Sequence, residues 1–154
     1  LDCCHNARHI VNRNLKASII TIKNYELKIK NLLTSIKVKE NIIQEKSFQF
    51  AVRIINLYKH LTAVKKEFVL SKQILRCGTS IGANIEESIG GRSDKEFLFK
   101  LEISYKEARE TIYWLKLLKA TDYISINEFD SIGIEAEEIC KILAKIIITL
   151  KGKM

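Results

Sequence analysis

Proline is absent from this chain, and glycine occurs only six times in 154 residues. Proline removes a backbone donor and clashes with the preceding helical turn, while turn-dense sandwiches and barrels need both residues at their corners. Their scarcity excludes those folds and favours long helices. No run approaches the roughly 18 apolar residues that a membrane-spanning helix requires, and residues 1–20 hold no signal-peptide apolar centre. A cytoplasmic protein with no membrane partner is expected. Histidine is also scarce: His60 is the only one after residue 9. The Glu-x-x-His pairs of a di-metal bundle therefore cannot be assembled, and no nucleophile elbow offers acyl-transfer chemistry. No catalytic residue, no metal and no cofactor is expected, so the chain is read as not an enzyme.

Four cysteines are present: Cys3, Cys4, Cys77 and Cys140. The last two fall within expected helices, which suits reduced thiols better than a secreted disulfide framework. Cys3, Cys4, His5 and His9 gather metal-type side chains at the start, but adjacent cysteines do not follow zinc-ligand spacing. No methionine precedes Met154, so either an initiator has been removed or translation begins at another codon.

What is present is enough for one packed core. Apolar residues make up 47 % of the chain, and the length is that of a single domain with an extension. The net charge of +8 is uneven: residues 1–46 carry nine Lys/Arg against four Asp/Glu, and the remainder seventeen against fourteen. A basic surface favours phosphate-rich partners, although lysine-rich helical faces commonly serve solubility alone.

Hydrophobic periodicity divides the chain into an N-terminal extension, residues 1–40, and an all-α four-helix bundle, residues 41–154. In the extension Leu15, Ile19, Ile22, Ile29, Leu33 and Ile36 recur at three- and four-residue spacing, interrupted by Glu26, which leaves two readings, an extra helix or a disordered segment. The first bundle helix is expected from near Ser47, with Phe48, Ala51, Val52 and Ile55 as its stripe and Ile54, Tyr58 and Leu61 widening it. The second runs from about Ser71 to Ser88 on Ile74, Cys77, Ile81 and Ile85, stopped by Gly90 and Gly91. Ser93 with Glu96, and Ser125 with Glu128, have capping-box spacing and open the third and fourth helices. Their stripes are Phe97, Leu101, Ala108, Ile112 and Leu115, then Ile132, Ala136, Ile139, Leu143, Ile146 and Leu150. Short connections make the simplest packing an antiparallel up-down-up-down bundle.

The second helix contains GTSIGANIEES, residues 78–88. Gly78 and Gly82 each cost about 1 kcal/mol against alanine in a helix, so a close helix approach is expected there. Their spacing is not that of a phosphate-binding loop. Gln73, Ser80, Asn84 and Glu87 form a polar seam beside the apolar stripe, read as inter-helix hydrogen bonding with Asn84 buried. On the third helix, Phe99, Ile103, Tyr113, Trp114 and Leu117 form a second apolar strip opposite the core stripe. A helix apolar on two faces is usually buried on two faces, so this strip predicts a subunit interface. A covering loop, or residues 1–46 folded back, is the alternative.

The motif GTSIGANIEES, the segment SDKEF at 93–97 and KEARETIYWLKLL at 106–118 together resemble the four-helix-bundle family of 23S rRNA-intervening-sequence proteins over about residues 40–150. That family is similar to the accessory proteins of diversity-generating retroelements, ring-shaped homopentamers that bind nucleic acid and a reverse transcriptase. The resemblance implies a pentameric, non-catalytic bundle with RNA or DNA as a candidate partner. It assigns structural or assembly roles to Ser80, Asn84, Glu87, Glu107, Glu110 and Trp114, beside Gly78 and Gly82. Family members usually begin near Val38 to Lys46, so residues 1–37 are either upstream sequence read through or a genuine extension. The rival to a ring-forming, RNA-associated scaffold is a protein-protein interaction module with no nucleic-acid role.

Overall fold

The computed structural model describes the backbone of residues 2–153 and the side chains of residues 21–31, 34 and 42–153. Among the described residues four helices follow one another: α1 (Asp2–Ala63), α2 (Leu70–Ile89), α3 (Asp94–Ala120) and α4 (Ile126–Lys151). No strand occurs among the described residues. Two compact units are distinguished, Leu1–Val38 and Lys39–Met154. In the first, every described side chain is exposed, including Ile22, Tyr25, Leu27 and Ile29. The side chains of Cys3, Cys4, His5 and His9, and those of Leu15, Ile19, Leu33 and Ile36, lie outside the described residues.

The first bundle helix does not begin near Ser47, because α1 is already helical from Asp2. No proline or glycine interrupts it, and Ser47 behaves as a mid-helix serine rather than a cap: its hydroxyl donates to the Gln44 carbonyl at 2.9 Å. The buried face of α1 also differs from the expected one. Ile43, Ser47, Phe50, Ile54, Leu57 and Leu61 face the core at alternating spacings of four and three. Phe48, Val52 and Ile55 point away, 63 %, 40 % and 37 % exposed. Both stripes are apolar, and only the position of the neighbouring helices decides between them.

Contacts between helices show an antiparallel up-down-up-down bundle. Gln44 of α1 donates to Glu86 of α2, and Ile54 of α1 touches Gly78 of α2. Ser104 of α3 donates to the Ile81 carbonyl of α2, and Thr111 to the Cys77 sulfur. Lys151 of α4 pairs with Glu102 of α3, and Lys46 of α1 with Glu138 of α4. α1 and α3 each contact both α2 and α4, so they stand on one diagonal of the bundle. The core between them includes Phe50, Ile54 and Leu61, Ile74, Ile81 and Ile85, Leu101, Leu115 and Leu118, and Ile139 and Leu143. Each such side chain, removed from water, contributes about 1.5–3 kcal/mol.

Local chemistry sets the helix starts. Ser125 and Glu128 form a complete capping box at α4. At α3 the Ser93 hydroxyl accepts from the Glu96 N–H, but the Glu96 carboxylate accepts from the Arg92 N–H rather than from Ser93. α2 has no hydroxyl cap. Instead the buried Glu67 carboxylate accepts from the N–H groups of Val69, Leu70 and Ser71 at 2.6–2.8 Å. Burial pushes the Glu67 carboxyl up, and the bonds from Leu70, Ser71 and Val69 together outweigh it and hold the group below its ordinary range.

Candidate functional site

The outer strip of α3 is only partly covered. Phe99 and Tyr113 are 58 % and 56 % exposed, while Ile103, Trp114 and Leu117 are half-buried. Trp114 packs on the margin of the core, and its indole N–H donates to Glu110 Oε1 at 3.1 Å. The Arg76 guanidinium of α2 donates to the same oxygen at 2.7 Å. Tyr113 meets Trp114 edge to face, with ring centroids 5.3 Å apart. The strip is thus anchored at Trp114 and open at Phe99 and Tyr113.

Beside it runs the α2–α3 seam. Gly78 permits the close approach its place in a helix implied, since a Cβ there would lie 2.8 Å from Ile54. Gly82 has more room, 3.6 Å from Ser47. Asn84 is not the buried inter-helix residue expected: it is half-buried and donates to the Ser80 carbonyl of its own helix at 2.8 Å. Ser80 is half-buried, and Glu87 is exposed and pairs with Lys100 of α3. The inter-helix bonds come instead from Ser104 and Thr111, whose small side chains sit inside the α3 stripe and look like core spacers in sequence.

Glu107 completes the seam. Its Oε2 is buried and has no hydrogen-bond partner among the described residues. Burial, then the neighbouring Glu110 charge, raises its carboxyl above the ordinary range, with Arg76 pulling the other way. Cys77, buried beneath Thr111, has its thiol pushed up to about 11, chiefly by burial, so it is not a poised nucleophile. Among the described residues no group of three His, Cys, Asp or Glu side chains could hold a metal ion, and no helix is long and apolar enough to cross a membrane.

Grooves flank α4 on both sides. The α1–α4 groove, about 410 Å³, contains Lys46 and Arg53, each paired with a carboxylate of α4, Glu138 and Glu135. The α3–α4 groove, about 440 Å³, is lined by Tyr105, Arg109, Tyr113, Lys116, Glu137 and Lys141 over a floor that includes Cys140. Tyr113 therefore borders both the apolar strip and this groove. Burial raises the Cys140 thiol, and Arg109 partly offsets it. Sequence reasoning missed this groove, although Arg109 and Lys116, seven residues apart on α3, carry a signal of it.

The family model described as 23S rRNA-intervening sequence protein matches residues 39–145. A crystal structure of a protein of unknown function from the S23 ribosomal protein family of Bacteroides thetaiotaomicron is 54 % identical to this chain. The alignment covers 71 % of this chain and 97 % of that one, with a TM-score of 0.70. No curated protein matches the chain.

Proposed function

The chain belongs to the 23S rRNA-intervening sequence protein family, and from that membership we propose a non-catalytic protein that works as a ring of identical copies, with RNA as its partner. The observation that supports assembly is the pair of apolar faces left outside the bundle on its diagonal helices. Phe48, Val52 and Ile55 of α1 face away from the core on one side, and Phe99, Ile103 and Leu117 of α3 on the other, with Tyr113 turned to the α3–α4 groove at the edge of that strip. Two unlike patches on opposite sides suit a head-to-tail contact, which closes into a ring when the rotation between copies allows. Five copies is the number the family resemblance implies. Each contact removes apolar surface from water at about 25 cal/mol per Å².

RNA enters through the family's description and through the excess of basic over acidic side chains in a net charge of +8. The buried free thiols Cys77 and Cys140 support a cytoplasmic setting, where thiols stay reduced. The test of assembly is the double substitution Ile103→Glu with Leu117→Glu, followed by sedimentation. The reading expects helical content to persist and the mass to fall towards the monomer. An unchanged oligomeric mass would remove the α3 strip from the interface.

A further inference from the structure

We infer that the α3–α4 groove is the site at which this bundle holds single-stranded RNA, a placement that rests on the RNA reading above. Its cations converge. Lys46, Arg53, Arg76, Lys100 and Lys151 each pair with a glutamate, and exposed lysines such as Lys59, Lys65 and Lys72 line neither this groove nor the α1–α4 groove. Arg109, Lys116 and Lys141 form no ion pair among the described residues, and all three are exposed along one groove. The neighbouring α1–α4 groove has similar volume, but both its cations are consumed by α4 carboxylates. Unconsumed charge in a concave site is what a phosphate backbone requires, because neutralising phosphates releases their counterions.

The geometry favours a single strand over a duplex. Arg109 and Lys116 stand two turns apart on α3, about 10 Å along its axis, and Lys141 faces them from α4. A volume of about 440 Å³ lies at the small end of ligand sites and admits one nucleotide unit at a time. Tyr113, more than half exposed at the rim, offers a flat ring to an unstacked base. A basic track with an aromatic platform is the arrangement that binds single strands with little sequence preference. In a duplex the base faces are already stacked and cannot use the ring. Glu137 is the only acid lining the groove, so the lining remains net positive.

The experiment uses the full chain and a fluorescein-labelled oligouridylate about twelve nucleotides long, in the range of single-strand site sizes. Anisotropy is read across a salt series. The expected result is that Arg109→Gln, Lys116→Gln and Lys141→Gln together weaken binding at least tenfold at low salt. The same triple should flatten the log–log salt slope by about 2, since each phosphate contact on a single strand contributes roughly 0.7. A control triple of equal charge at other exposed positions, Lys59→Gln, Lys65→Gln and Lys72→Gln, should bind within about twofold of the unmodified chain, and the oligouridylate annealed to oligoadenylate should bind more weakly than the single strand. Equal loss in both triples, or equal binding of the duplex, would overturn the groove. If the unmodified chain ignores the single strand at low salt, the RNA reading falls along with the groove. If it binds and the groove triple binds as well, only the groove falls.

Discussion

Gly78 of α2 lies against Ile54 of α1 so closely that a Cβ at position 78 would sit 2.8 Å from both Ile54 Cγ1 and Cγ2. Ile54 is fully buried and β-branched, so it has little freedom to turn aside. Gly82, one turn further along α2, has only ordinary contact with Ser47. The two glycines therefore have opposite expected outcomes. Gly78→Ala should destabilise the bundle by about 1–3 kcal/mol through overpacking. Gly82→Ala should leave it unchanged or stabilise it by up to about 1 kcal/mol, the helix-propensity gain. Urea unfolding of both variants checks this, and equal effects would contradict the α1–α2 contact.

Glu67 caps α2 with a carboxylate where a hydroxyl or Asx side chain is usual. Its folded value is depressed, so its contribution to stability is present above the unfolded carboxylate range and is lost as pH falls through the folded value. Glu67→Gln should cost about 1–2 kcal/mol at neutral pH, the size of a lost N-cap. The gap between the two proteins should narrow on acidification. Melting temperatures measured from pH 7 to pH 3 test the sign, and a gap that widens in acid would contradict it.

Glu107 carries the opposite sign. Its carboxyl is raised by burial and by Glu110, so the ionised form is disfavoured in the folded bundle. Its favourable share of stability is fully present below the unfolded value and is lost as pH rises through the folded one. Glu107→Gln should therefore melt higher than the unmodified chain at pH 7, with the advantage vanishing near pH 4. A variant that melts lower at pH 7 would show that the charged carboxylate has a partner.

The outer face of α1 yields an assembly test independent of α3. Phe48→Glu with Ile55→Glu places charge on exposed positions that the bundle core does not use. Circular dichroism should be nearly unchanged while the sedimenting mass falls, as for the α3 double substitution. Retention of the oligomer would mean that α3 strips meet one another, or another patch, rather than α1.

How far the fold is legible depends on whether a feature is local. The stripe Ile74, Cys77, Ile81 and Ile85 is legible because period and burial agree on a helix with one apolar face. The Ser125–Glu128 capping box is legible because both of its bonds close within one turn. The face of α1 is not legible, since Phe48, Val52 and Ile55 compete with Phe50, Ile54 and Leu57 on a helix apolar on two sides. That choice is made by Gly78 on another helix. Asn84 looks like an inter-helix polar residue, yet its amide finds the Ser80 carbonyl one turn back at no cost in helix geometry. The α3–α4 groove is only partly legible: Arg109 and Lys116 recur at helical spacing on α3, but that Lys141 of α4 faces them, and that none of the three pairs with a carboxylate among the described residues, is a property of packing rather than of spacing.

If the bundle works as an assembly of copies of itself, the mass of the unmodified chain in solution reveals it. One copy weighs 17.7 kDa. Sedimentation equilibrium at tens of micromolar should return a single species at a whole multiple of that mass, with five copies the expected number. A mass of one copy at that concentration would contradict the account.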